Sequence, residues 1–211
     1  VISSQHGQFS QFVSDLTLGS GKSMVMKGTA SAVASTAIGD VRIDGIKIEQ
    51  PVTMQGLQGL ATTPLISSDV HVRGGTPQAM EIALICTMTN PSNIAMASGD
   101  VTFKVFSGGQ DVGRAVIRDM KLKPGVNNVP SVFYFSPQTG AAKAAGKLML
   151  ENFMSGVDHQ IGISGFEGST QIPSLLKGLS QLKFTTMVPA VHDKMLLAWQ
   201  STLNLLTITF T

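Results

Sequence analysis

Apolar and polar positions alternate with period two along much of this chain, and that alternation predicts strands. Between Glu81 and Thr89, Ile82, Leu84, Cys86 and Met88 stand against smaller or polar neighbours. Val101, Phe103 and Val105 repeat the pattern, and Val112, Ala115 and Ile117 continue it. Met120 and Leu122 lead to Pro124-Gly125, a type II turn pair, and Val132, Phe133 and Phe135 form the next strand. Ser107-Gly108-Gly109-Gln110 predicts a hairpin. Asn90, Pro91 and Ser92 predict a structural corner, because Pro91 fixes φ and removes a donor, so a ladder must stop or turn there.

The first third follows the same rule more loosely. Phe9 to Leu18 reads as extended, with Phe12, Leu16 and Leu18 near period two. Gly19-Ser20-Gly21 turns it and Ser23 to Met26 returns. Val41, Ile43 and Ile48 lie in a β-like segment in which Gly45 marks a bulge. Val52, Met54, Leu57 and Leu60 suggest a further short strand, and Ile66 to Arg73 another. The Gly74-Gly75-Thr76-Pro77 cluster is the expected domain boundary.

Period 3.6 replaces period two only twice. Ala145, Leu148, Met149, Asn152 and Phe153 share a face between Ala141 and Ser155, with Ser136-Pro137 as the expected start and Gly156 as the stop. Pro173 opens a second, short helix whose Leu175, Leu176, Leu179 and Leu182 share a face. Ile161 and Ile163, Phe184 to Val188, and Leu203 to Phe210 return to strand. The fold class is therefore mainly β, with one or two short helices packed on a sheet.

Composition narrows the function classes. Of 211 residues, 13% are charged and 43% are hydrophobic, which is too apolar for a disordered chain. A formal net charge of +2 gives no reason to expect nucleic acid. The single cysteine, Cys86, excludes an internal disulfide and reads as a buried thiol. No run of about 18 strongly apolar residues spans a bilayer, and no basic-then-apolar leader pattern stands at Val1.

Catalytic chemistry finds little support. Gly19-Ser20-Gly21-Lys22-Ser23 resembles the end of a phosphate-binding loop, but Leu16 occupies the place of its first glycine and a strand follows. His6, His71, His159 and His192 show no metal-ligand spacing. Ser164-Gly165 lacks the nucleophile elbow. Asp40 and Asp100 follow glycines and read as turn caps. Arg114, Arg118, Lys121 and Lys123 read as a solvated strand face, offset by Asp111 and Asp119. No catalytic residue, metal or cofactor is expected. The apolar feature that invites a ligand is Leu148, Met149, Phe153 and Met154, either one wall of an acyl-chain groove or ordinary helix-on-sheet packing.

Two pairs of segments suggest internal repetition. Val13-Ser14-Asp15-Leu16-Thr17-Leu18 with Gly21 parallels Ile117-Arg118-Asp119-Met120-Lys121-Leu122 with Gly125. Leu206 to Thr211 parallels Leu84 to Thr89. The run T-N-P-S-N-I-A-M-A-S-G-D-V-T-F-K-V, then G-Q-D-V-G, then L-K-P-G-V-N-N-V resembles the type-two late-embryogenesis-abundant domain, in particular a fungal branch labelled a domain of unknown function. G-S-T-Q-I-P-S-L-L-K-G-L-S-Q-L-K-F-T-T resembles the end of that unit. The resemblance covers roughly residues 78 to 189, and residues 7 to 76 loosely.

It implies fibronectin- or immunoglobulin-like β-sandwich units: 1–76 as the C-terminal part of one, 77–190 as a complete one, and 191–211 as a further or closing strand. It implies a non-enzymatic lipid-binding or lipid-transfer module, with the groove between helix and sheet. It also implies an extracytoplasmic fungal setting, in the vacuole lumen or at the cell surface, tethered by a membrane span outside this chain. The alternative expectation is a structural or adhesive tandem array, a homo-oligomer that assembles by strand addition at exposed edges.

Overall fold

The structure, a computed structural model, describes residues 6–60, 65–66, 70–76 and 78–190. The expected strand Leu203 to Phe210, and with it the second repeat, lies outside them. The chain is mainly β. Helix α1 (His6–Leu18) leads into β1 (Gly21–Thr36) and β2 (Gly39–Gln55), followed by one 3-10 turn (Gln58–Leu60). Then come β3 (Leu65–Ile66), β4 (His71–Thr76), β5 (Ala79–Asn90), β6 (Met96–Ser107), β7 (Gln110–Leu122) and β8 (Gly125–Phe135). Helix α2 (Gly140–Met154), β9 (His159–Ser164), α3 (Pro173–Leu179) and β10 (Lys183–Val188) complete the order.

All pairings are antiparallel and form two sheets. β1 and β2 make a ribbon by themselves; the other eight strands run β10-β9-β6-β7-β8-β5-β3, with β4 also on β5. The large sheet curls until β10 approaches β3 from the far side. Ladder lengths are unequal. β5 pairs β8 from Met80–Phe135 to Asn90–Gly125, whereas β7 pairs β8 only from Gly113–Phe135 to Val116–Val132.

Three sequence expectations need correction. Phe9 to Leu18 is helical, not extended. Phe9, Phe12, Val13 and Leu16 fall at i, i+3, i+4 and i+7, which outweighs the partial alternation of Phe12, Leu16 and Leu18. The repeat of Val13–Leu18 at Ile117–Leu122 therefore pairs a helix with part of β7, so it is no structural repeat. Leu57 and Leu60 lie beyond β2, Leu57 just before the 3-10 turn and Leu60 at its end, and Leu60 is buried in the core. Gly74, Gly75 and Thr76 of the expected boundary lie in β4, paired with Glu81, Met80 and Ala79 of β5.

The expected corner is built as a polar knot. Asn90 is 1% exposed. Its Nδ2 donates to the Ile94 carbonyl at 2.9 Å and the Leu122 carbonyl at 3.4 Å, and its Oδ1 accepts from the Ser92 amide at 2.9 Å. The Ser92 hydroxyl donates to the same Ile94 carbonyl. Buried polar groups must be paired, and here one side chain closes the loop that Pro91 forces.

Two apolar clusters line the curl. One gathers Val101, Phe103, Ile117, Met120 and Leu122 with Leu179 and Leu182 of the α3 region. The other gathers Ile82, Val105, Val112, Phe133 and Phe135 with Met149 of α2. α2 starts later than Ser136-Pro137 predicts, because the Thr139 hydroxyl caps it by accepting the Ala142 amide at 3.1 Å. Pro173 does open α3, at its first turn. Gly146 lets α2 press on β8: a Cβ there would lie 2.6 Å from the Phe135 ring.

Candidate functional site: an apolar cavity under helix α2

A cavity of about 660 Å³ lies inside the curl, roofed by α2. Its wall is the period-two face of the sequence. Met80, Ile82, Leu84, Cys86 and Met88 of β5 all line it. Ser131, Phe133 and Phe135 of β8, Ala115 and Ile117 of β7, and Phe103 and Val105 of β6 continue it. Ile161 and Ile163 of β9, and Phe184, Thr186 and Val188 of β10, close the far side. Alternate residues of each strand point one way, so six strands deliver a largely apolar wall. From Met80 to Met88 the lining runs about 27 Å along β5.

The helix face supplies the roof. Of the four residues expected there, Met149, Phe153 and Met154 line the cavity. Leu148 does not: it is 53% exposed, one position round the helix from Met149. Leu150, not singled out in the sequence, takes a place in the lining. Asn90, Pro91 and Ser92 stand outside it, at the other end of β5, in a structural role.

The polar lining gathers at one end. Thr76 and Gln78 precede β5, Gln138 follows β8, and Lys143 and Lys147 lie on α2. Since Met80 is opposite Phe135, these groups share the same end of the sheet. The lysines are the only charged residues among the described lining, and both are cations. Lys147 reaches Glu151 at 3.5 Å, an exposed pair of small energetic weight. Inside, Cys86 has its thiol pKa raised by burial, partly offset by a hydrogen bond from Ser131. A thiol held protonated is a poor nucleophile and behaves as a small apolar side chain.

A second cluster was invisible in the sequence. His159 Nε2 lies 2.9 Å from Ser107 Oγ, and His159 Nδ1 lies 2.9 Å from Asn152 Nδ2. Serine, histidine and asparagine in a row resemble a hydrolytic triad, but the proton positions run the wrong way. The Ser107 hydroxyl donates its one proton to the Ala145 carbonyl at 3.1 Å, so His159 must donate to Ser107 rather than accept from it. Ser107 is 1% exposed and belongs to neither the cavity nor its rim. The network ties α2 to β6 and β9, holding the roof in place. Its members are 45 and 52 residues from one another in pairs with Ser107, a separation that leaves no local signal.

The remaining polar expectations resolve as surface structure. Lys22 of the loop-like Gly19–Ser23 stretch pairs with Asp15, and β1 follows it. Asp40 accepts from the Ser35 hydroxyl at 2.6 Å. Asp100 has its pKa lowered by the Asp119 amide and by Arg118. Among the described residues no group of three or more histidine, cysteine, aspartate or glutamate side chains could hold a metal, and no helix is long and apolar enough to cross a membrane. No curated protein and no solved structure matches the chain, while its residues 1–105 match the family model described as a protein of unknown function (DUF3712).

Proposed function

We propose that this protein is a non-enzymatic carrier of a long apolar molecule with an acidic head, such as a single-chain lipid. The observation that carries this reading is the cavity: about 660 Å³, walled by alternate apolar residues of six strands and α2, with its cations at one end. Ligand sites of about 300–1,000 Å³ with apolar walls and a few placed polar groups are the usual form of small-molecule pockets. The acyl chain would lie along β5 toward Met88, and Lys143 and Lys147 would meet the carboxylate or phosphate. The groove between helix and sheet that the late-embryogenesis-abundant resemblance implies coincides with this cavity and supports the reading.

We also read the curl as an opened fibronectin-like sandwich, in which β10-β9-β6-β7 faces β8-β5-β4. The short β7–β8 ladder supports this, because it makes the two halves nearly separate sheets.

The test is palmitate uptake by the purified chain, followed by native mass spectrometry and by titration against a displaceable fluorescent fatty acid. One molecule should bind per chain. Each pair of methylenes removed from the ligand should weaken binding about 15-fold, from about 0.8 kcal/mol per buried methylene. Ala115→Trp should project an indole across the cavity and block binding while the thermal melt stays cooperative. Failure of the folded wild type to take up either palmitate or a neutral long-chain alcohol would refute the proposal.

A further inference from the structure

The β1–β2 ribbon has one apolar face that nothing among the described residues covers. Residues directly opposite in an antiparallel pair share a face. Ala34–Val41, Ala32–Ile43, Ala30–Ile46 and Gly28–Ile48 are such pairs, and Met26–Gln50 and Met24–Val52 extend the row. Ser35–Asp40, Val33–Arg42, Thr29–Lys47 and Lys27–Glu49 occupy the reverse face, which is therefore the charged one. A bulge holds this division. The register shifts between Ala30 and Ala32, where Gly45 takes φ +73°. Regular one-to-one pairing through this stretch would turn Ile46 and Ile48 away from Val41 and Ile43. A device that keeps isoleucines in phase across a bulge makes sense only if the face is used.

The ribbon also needs support. Two strands alone are marginal in water. Here the body holds only the base, where the Gln55 amide donates to Asn93 Oδ1 and Asn93 Nδ2 donates to the Thr53 carbonyl. Ile43, Ile46 and Ile48 remain exposed, and Ile38 at the tip is 96% exposed.

We infer that a second copy of this chain covers the apolar face. The face is self-complementary: β2 supplies a ridge of Val41, Ile43, Ile46 and Ile48, and β1 supplies a trough of Ala34, Ala32, Ala30 and Gly28. A two-fold axis along the ribbon lays each ridge in the other copy's trough, with both tips pointing the same way. An axis across the ribbon would set ridge on ridge. The face measures about 50 Å by 10 Å, so pairing buries about 1,000 Å² in total, the threshold for a specific interface. A membrane fits less well. Interfacial binders present aromatic residues and excess cations, but no aromatic residue lies between Gly21 and Gln55. The reverse face sets Lys27 against Glu49 and Arg42 against Asp44.

Sedimentation velocity of the whole chain should show a dimer at micromolar concentration. Ile43→Asp should weaken it at least about 100-fold, since both copies carry the change. Inserting one alanine between Ser31 and Ala32 gives the extra β2 residue a partner, removes the bulge and splits the face while keeping every apolar residue, and should abolish the dimer equally. A spin label on Ile38→Cys, in a Cys86→Ala background, should report tips within about 20 Å rather than a ribbon length of about 50 Å. Palmitate uptake by Ile43→Asp should match the wild type, which separates this inference from the carrier reading. A wild type that stays monomeric at high concentration, a dimer unaffected by either change, distant tips, or vesicle binding that Ile43→Asp removes would each overturn it.

Discussion

Asn90 can be tested by giving it the wrong hydrogen-bonding polarity. Its side chain donates twice, to Ile94 and Leu122 carbonyls, and accepts once, from the Ser92 amide, in a site 1% exposed. Asn90→Ala removes all three bonds. The Ile94 carbonyl keeps the Ser92 hydroxyl, so the main cost is the buried Ser92 amide left without a partner. An orphaned buried donor costs about 1–3 kcal/mol and each lost bond about 1, so the variant should lose roughly 2–4 kcal/mol. Asn90→Asp keeps the acceptor for Ser92 but turns a second oxygen toward two carbonyls. Protonated, that oxygen can still donate; ionised, it cannot.

The folded aspartic acid should therefore have a raised pKa, by about two units or more. A raised folded value gives stability that is complete below the unfolded pKa, near 3.9, and is lost as pH rises through the folded one. Between those values the loss is about 1.4 kcal/mol per pH unit, so roughly 3 kcal/mol should vanish from pH 4 to pH 7. Urea unfolding of wild type and both variants at several pH values gives the difference curves. An Asn90→Asp curve that runs parallel to the wild type, or an Asn90→Ala loss below about 0.5 kcal/mol, would refute the knot as an energetic feature.

Further outcomes follow from other contacts. Gly146→Ala should lower the melting temperature although alanine is worth about 1 kcal/mol more in a helix, because its Cβ meets Phe135 and overpacking costs about 1–3 kcal/mol; a raised melting temperature would show that the ring yields. Cys86 should react slowly with N-ethylmaleimide at pH 7.5 and still faster above pH 9, because burial raises its pKa, and bound palmitate should protect it; mass spectrometry of quenched samples measures both. Asp100 should titrate below an ordinary carboxylate in NMR, and the stability that separates wild type from Asp100→Asn should be present at neutral pH and disappear as pH falls through that lowered value.

The cavity wall was legible because strand geometry writes itself into sequence. Ile82, Leu84, Cys86 and Met88 alternate whether they face a packed core or a space, so alternation announced the wall and not the void. Met149 and Phe153 were legible for the same reason at period 3.6, while Leu148 shared their spacing but not their direction. α1 was misread because Phe12 and Leu16 satisfy both periods and Leu18 extends the alternation, while only Phe9 and Val13 decide for the helix. Lys143 and Lys147 carried no signal until the turns before β5 and after β8 gathered at their end of the sheet. The ribbon was hardest. Its strands carry Ala30, Ala32 and Ala34 opposite Ile46, Ile43 and Val41, and small residues look like bland filler until register sets them beside a ridge.

The four-rung β7–β8 ladder has a mechanical consequence. β7 is fastened to β6 over nearly its whole length, and β8 to β5 over eleven rungs, so each half is a stiff plate. Strain that pulls β6–β7 away from β8–β5 falls on the four rungs that join them, from Gly113–Phe135 to Val116–Val132. A hinge at that line is the expected consequence. Splaying the plates there would widen the space beneath α2 without breaking either long ladder, admitting a chain too bulky to thread past the helix. Amides of Arg114 and Val116 should then exchange with solvent sooner than those in the middle of β5, and a seated occupant should slow them.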